Sequence, residues 1–257
     1  MSKRVEIAFW NIKWFNRYED KSSTRIENNH VRARIAYKIL NDSENTYDIL
    51  VLAEAGNKQS LEIKGYKKIY LNRNRKNFQN GILLYGKEEL NLEVDIALYE
   101  ELKRRKIDCF MPIKSIINEK SVHFLFVWTT TKEYENGKKV PYGYFRFKEL
   151  LNLKLAKDFL DGNKHKVFVI GDFNVNSNPV SHDKKKKLKK WEEIKSELES
   201  CGLEWVENHK ITYGETAIID HAFLSSNMLN KANLDIKKRI YENIESDHNL
   251  IHLTAKL

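Results

Sequence analysis

Two cysteines, three prolines and ten glycines are all that 257 residues contain of the types that staple, break or loosen a chain. Cys109 and Cys201 are too few for a disulfide framework, and nothing in the sequence demands a bridge between them. With so little proline and glycine there is no linker. Residues 1–257 therefore read as one domain, long but within the single-domain range. No apolar run approaches the roughly eighteen residues of a membrane span. The chain enters a strand-like run, VEIAFWNI, without the pattern of a secretory leader. These absences predict a protein of a reducing, cytoplasmic setting with no membrane partner.

What is present is charge. Lysine and arginine number 45 against 36 aspartates and glutamates, a net of +9. Six of the lysines (Lys184, Lys185, Lys186, Lys187, Lys189 and Lys190) sit in one segment, KKKKLKK. Without them the excess falls to 39 − 36 = +3, so the surplus is local. Such a cluster beside a cleft attracts phosphates and makes binding salt-sensitive. A solvated loop is the plain alternative. Arg73-Asn74-Arg75-Lys76 and Lys103-Arg104-Arg105-Lys106, in expected loops or helix ends, tilt the reading toward an anionic polymer.

Residues 4–12 alternate and are rich in β-branched and aromatic side chains, which predicts a strand. Val31, Ile35 and Ile39 recur every fourth residue, which predicts an amphipathic helix over 24–40. Strands are expected at 48–54, 66–71 and 81–85. A hairpin is expected over 107–117 and 122–130, turning at Asn118-Glu119-Lys120. A helix over 145–160 follows, then a strand at 166–173 and a helix around Leu188, Trp191, Ile194 and Leu198 that Gly202 stops. Strands at 218–224, 234–241 and 249–256 complete the chain. Strands outnumber helices and neighbour one another as hairpins. A doubly wound parallel sheet needs a helix after nearly every strand; two packed, mostly antiparallel sheets flanked by helices suit this pattern.

Four segments end an apolar run in polar chemistry. In VFVIGDFN, Gly171 permits a turn or a close approach. Asp172 and Asn174, two apart, share a face if the segment stays extended. Such a pair suits activation of a water beside phosphate, and an Asx turn is the structural alternative. Glu54 ends ILVLAE and offers a hard oxygen to Mg²⁺. Asn11 ends the first strand and is suited to bonding phosphate or holding Glu54. Asp220 lies inside IIDHAFL, where a carboxylate wants a partner, and His248 of Ser246-Asp247-His248 is the natural one. Asp247, its neighbour, reads toward metal. His252 alternates with apolar residues on the last strand and reads as solvent-facing.

Taken in order, Trp10-Asn11, Glu54, Asp172/Asn174, Asp220 and Ser246-Asp247-His248 resemble the endonuclease/exonuclease/phosphatase family, the group of deoxyribonuclease I and exonuclease III. The resemblance runs nearly the whole chain. It implies a four-layered α/β sandwich and Mg²⁺- or Mn²⁺-assisted phosphoester hydrolysis. It implies Glu54 as the metal carboxylate with Asn11 and Asp247 as helpers. Asp172 would orient or deprotonate the attacking water, Asn174 would hold it or the phosphate, and Asp220–His248 would polarise the phosphate or act as acid–base. The chain departs from the family in four places. One of them, Lys13 where some apurinic endonucleases carry a further carboxylate two residues after the asparagine, weakens a reading as apurinic-site repair. A strand that often ends in histidine or tyrosine ends here in Trp128-Thr129-Thr130-Thr131, which leaves the Thr130 hydroxyl as the phosphate donor. Ala53 stands where glutamine often precedes the glutamate. His221 stands where an aromatic often follows the late aspartate.

The expected function is hydrolysis of a phosphodiester by a monomer acting on nucleic acid, DNA ahead of RNA, with Lys184, Lys185, Lys186 and Lys187 on the backbone. A small-molecule phosphatase or phosphodiesterase, and an inactive nucleic-acid-binding relative, are the alternatives.

Overall fold

The computed structural model describes residues 3–12, 38–39, 47–56, 62–72, 80–129, 133–135, 138–140, 142–178, 184–214, 217–237, 240–241, 244–245 and 248–257. The strands, in chain order, are β1 (Arg4–Asn11), β2 (Ile49–Gly56), β3 (Tyr66–Asn72), β4 (Asn80–Lys87), β5 (Glu93–Val94), β6 (Phe110–Ile117), β7 (Lys120–Trp128) and β8 (Glu133–Glu135). They continue as β9 (Lys138–Val140), β10 (Lys166–Asp172), β11 (Leu203–Trp205), β12 (Asp220–Ser225), β13 (Ala232–Lys237), β14 (Ile240–Tyr241), β15 (Ile244–Glu245) and β16 (Leu250–Lys256).

Two six-stranded sheets carry the architecture, in the orders β13-β16-β1-β2-β4-β3 and β11-β12-β10-β7-β6-β5. Each is antiparallel except at one central pair, β1 with β2 in the first and β7 with β10 in the second. The succession of pairings across the two sheets is identical, a likeness between the halves that the sequence hides.

Strand alternation sorts the side chains into layers. Val5, Ile7 and Phe9 of β1 and Ile49 and Val51 of β2 pack between the sheets against Phe124 and Phe126 of β7 and Phe168 and Ile170 of β10. Fully burying one such phenylalanine contributes about 2 kcal/mol. The alternate residues Ala8, Trp10, Leu50 and Leu52 pack on the outer face of the first sheet with Tyr47 and Ile39. Val127 and Val169 line the outer face of the second sheet, beneath Phe147, Leu150, Phe159, Trp191, Ile194 and Leu198. Those residues come from the helices Tyr142–Leu151, Lys154–Phe159 and Lys184–Ser200. This is the α/β sandwich expected. The helix expected over 24–40 lies outside the described residues apart from Lys38 and Ile39, which are helical.

The hairpin turns where expected, with Asn118 and Glu119 both left-handed, and Gly202, at φ +77, ends the helix Lys184–Ser200. The helix expected over 145–160 is two helices broken at Asn152-Leu153. The buried residues Leu150, Leu151, Leu153, Ala156 and Phe159 explain the break. At about 100° per residue they would spread over more than half of one continuous helix, beyond any single face. The lysine run is not a loop, since Lys184–Lys190 are the opening turns of a helix. One helix, Ile96–Arg104, was not expected. Its signal is Asp95, whose carboxylate accepts from the Leu98 amide at 3.1 Å, followed by Leu98 and Leu102 four residues apart.

Candidate active site

The inner faces of the two sheets run out in polar residues. Asn11 continues the Phe9 face of β1, Asp172 continues the Ile170 face of β10, and Asp220 opens the Ala222 face of β12. All three are buried. Alternation alone brings them to the same end of the inter-sheet layer. The Asn11 amide crosses between the sheets and donates to Asp172 Oδ2 at 3.0 Å.

Asp172 and Asp220 are direct register partners on β10 and β12. Two carboxylates facing each other across a ladder repel. His248 relieves them. Its Nδ1 lies 3.0 Å from Asp220 Oδ2, and its Nε2 lies 3.9 Å from Asp172 Oδ2. The pairing expected of Asp220 with His248 is therefore present, and Asp172 joins it. One ligating atom from each of the three lies within 4.8 Å of the others, close enough to share a cation.

One imidazole facing two buried acids leaves a charge deficit. Burial pushes the Asp172 carboxyl up to about 7, with Asp220 adding to the rise. His248, the Asn11 amide and the Asn174 backbone amide oppose it. An acid poised near neutrality is suited to exchanging a proton with water.

Gly171 is required by a close approach. A Cβ there would stand 2.0 Å from the Val127 carbonyl oxygen, and its φ is +150. The chain then turns. Asn174 is left-handed at φ 50, so it does not continue the face of Asp172. Its backbone amide donates to Asp172 Oδ1 at 2.9 Å, and its side-chain amide donates to the Thr129 carbonyl. The Asx turn and the polar pair are thus the same structure. Thr129 returns its backbone amide to the Asp172 carbonyl at 2.9 Å.

His221, beside Asp220, faces the other way. It lies flat on Trp191, with ring centroids 4.0 Å apart, and its Nε2 contacts the Val175 carbonyl at 2.9 Å. Burial pushes its imidazole down to about 4. Histidine here fills the slot of an aromatic ring. His252 is half-buried rather than solvent-facing, 3.3 Å from Glu6 and edge-on to Tyr47.

Other expected residues stand as follows. Glu54 follows Ala53, the register partner of Asn11. The β2–β4 ladder passes from Ala53–Ile82 to Ala55–Gly81, so Glu54 occupies a bulge, and its side chain lies outside the described residues. Asp247 and Thr130 also lie outside them, each next to a described residue of the site, His248 and Thr129. The side chains of Lys184, Lys185, Lys186 and Lys187 are likewise outside. Their helix can be placed. Trp191 packs at His221, while Gly202 past its end accepts from Ser226, at the far end of β12 from Asp220. The turns before Trp191 therefore extend past the Asp220 end, and Lys184 lies about 10 Å beyond Trp191 along the axis. The Lys103–Lys106 cluster is partly neutralised, as Arg104 and Arg105 both bond Glu101.

Two residues of the site carry no sequence signal. Tyr213 sets its ring 4.8 Å from that of His248, and its neighbour Thr212 is buried. Both lie in a stretch without apolar periodicity, which offers no motif to read.

The fold and site define an α/β sandwich with an acid–histidine cluster where its two sheets meet. The sequence profile of the family described as endonuclease-reverse transcriptase matches residues 146–252, the part that holds Asp172, Asn174, Asp220 and His248. No curated protein sequence matches the chain. Among solved structures, the AP endonuclease LMAP from Leishmania major superposes with a TM-score of 0.67 at 10% identity, over 99% of this chain and 88% of its own. The 3′-5′ exonuclease NExo from Neisseria meningitidis gives 0.63 at 16% identity, over 97% and 98%. Truncated TDP2 from Caenorhabditis elegans gives 0.62 at 17% identity, over 99% and 98%. At these identities the likeness is one of fold. The profile match covers the second half of the site, and the fold agrees with the one that the motif order implied.

Proposed function

We propose that the chain is a divalent-metal-dependent phosphodiester hydrolase acting on nucleic acid, DNA ahead of RNA, as a monomer. The observation that carries this is the convergence of Asn11 and His248, from β1 and the lead-in to β16 of one sheet, with Asp172 and Asp220 at strand ends of the other.

The residues fit a hard divalent cation. Two buried carboxylates share one imidazole, Asp172 is pushed up to about 7, and most of the donors nearby are carboxylate or amide oxygens. Glu54, Asn11 and Asp247 would hold Mg²⁺ or Mn²⁺, which when bound supplies polarisation of a phosphoryl oxygen and steadies the leaving oxygen. The protein's own groups do the rest. The Asp172 carboxylate, fixed by Asn11 and the Asn174 amide, takes the proton of the attacking water. His248, its Nδ1 held by Asp220, presents Nε2 to a phosphoryl oxygen, and Asp220 stabilises the imidazolium. Asn174 and Thr130 would supply further donors to the phosphate. The lysine-bearing turns ahead of Trp191 follow the backbone of a longer substrate past the site.

The test incubates the purified chain with supercoiled plasmid, single-stranded DNA, RNA and bis(4-nitrophenyl) phosphate, each with Mg²⁺, Mn²⁺ or EDTA. Metal-dependent plasmid cleavage that Asp172→Ala and His248→Ala abolish is the expected result. Cleavage of the small ester alone assigns the site to a small phosphoester. Binding without cleavage in every metal overturns the hydrolase reading.

A further inference from the structure

The loop before β12 buries a threonine with an unusual load. Thr212 is fully buried, and its hydroxyl oxygen accepts from two consecutive backbone amides, Ile219 at 3.0 Å and Asp220 at 3.1 Å. Those bonds fix the chain at the residue where the Asp220 carboxylate departs. The other side of the loop is tied to the histidine. The Thr212 carbonyl accepts from the Asn249 amide at 2.8 Å, and the Asn249 side chain donates to the Ile211 carbonyl at 2.8 Å. Tyr213 bridges to the His248 backbone and lays its ring against the imidazole. The His248 carbonyl is held on its far side by the Trp10 indole at 2.9 Å.

One side chain thus joins the two segments whose separation sets the Asp220–His248 contact. We propose that Thr212 is a positioning residue for that pair. Its hydroxyl holds the start of β12 to the 211–213 loop, and the loop holds His248–Asn249. Thr212 reaches the reacting atoms only through Asp220 and His248. The inference rests on the hydrolase reading of the same site.

Substitution can separate the hydroxyl from the bulk of the side chain. Valine keeps the shape of threonine and removes the acceptor, and serine keeps the acceptor and removes a methyl group. A misplaced pair binds substrate as before but turns it over slowly, because the weakened interaction is one made in the transition state.

The experiment measures kcat and KM for wild type, Thr212→Val and Thr212→Ser on bis(4-nitrophenyl) phosphate with Mn²⁺ and on supercoiled plasmid with Mg²⁺. Thr212→Val is expected to lower kcat by about ten- to a hundredfold with KM within about twofold of wild type, and Thr212→Ser to recover most of the loss. If Thr212→Val does not fold, Thr212→Ala set against Thr212→Ser makes the same comparison. Wild-type kcat in the hydroxyl-free variant, or equal loss in the serine and hydroxyl-free variants, overturns the inference while leaving the hydrolase reading in place. A wild-type protein inactive on both substrates overturns the hydrolase reading, and the inference with it.

Discussion

Asp172 and Asp220 face each other across adjacent antiparallel strands, and the imidazole of His248 lies 3.9 Å from one and 3.0 Å from the other. A core gains nothing in stability from two opposed carboxylates. The protein bears that cost at the one place where β1, β10 and β12 run out together. Such a placement is expected of a site that needs charge in a dry setting.

The cost is measurable in metal-free protein. Asp172 is raised from 3.8 to about 7 in the folded state, so between those pH values the native chain holds more protons than the unfolded one. Stability therefore falls as pH rises through that window and is flat above it. Asp172→Asn cannot ionise. Its unfolding free energy in EDTA is expected to lack this decline and to exceed that of wild type at pH 8, by an amount on the order of a few kcal/mol. Thermal melts across the window decide it, and a less stable asparagine variant at pH 8 contradicts it.

His221 makes the opposite prediction. Its imidazole is pushed down to about 4 from 6.5, so the stability it allows is complete above 6.5 and lost as pH falls toward 4. His221→Phe keeps the stack on Trp191 and removes the titration. Between about pH 7 and pH 5 the wild type should lose on the order of 2 kcal/mol more than this variant. Equal acid sensitivity of the two proteins in urea titrations would show that His221 does not titrate below its ordinary value.

The lysine-bearing turns are helical, so glutamine is the replacement that spares the helix. Replacing Lys184, Lys185, Lys186, Lys187, Lys189 and Lys190 by glutamine should weaken DNA binding. The slope of log K against log salt should flatten by about 0.9 for each phosphate that these lysines neutralise in the wild type, with turnover of a small diester unchanged. Fluorescence anisotropy over a salt series reads the slope. An unaltered slope removes these turns from the substrate path.

Much of this site was legible because strand alternation is a strong rule. The parity that buries Phe9, Ile170 and Ala222 also carries Asn11, Asp172 and Asp220 to one layer, and His248 was recognisable as the partner Asp220 lacked. The rule fails where the backbone leaves the strand. Asn174 sits in a left-handed turn, so its spacing from Asp172 did not set its direction, and Glu54 lies in a bulge that only the β2–β4 register reveals. Charge misled twice. A lysine run looked like a loop although Leu188 and Trp191 continue it as a helix, and His221 looked like a departure although it packs as an aromatic ring. Thr212 and Tyr213 carry no periodic signal, and only long-range contacts show their place.

The central claim is that Asp172, Asp220 and His248 form one hydrolytic unit. The most direct test is the turnover of Asp172→Asn, His248→Gln and the double variant on one substrate at saturating Mg²⁺. Each single change is expected to cost on the order of a thousandfold, and the double variant to fall within a few-fold of the worse single one. Wild-type turnover in the Asp172→Asn protein, or losses that simply multiply in the double variant, would contradict it.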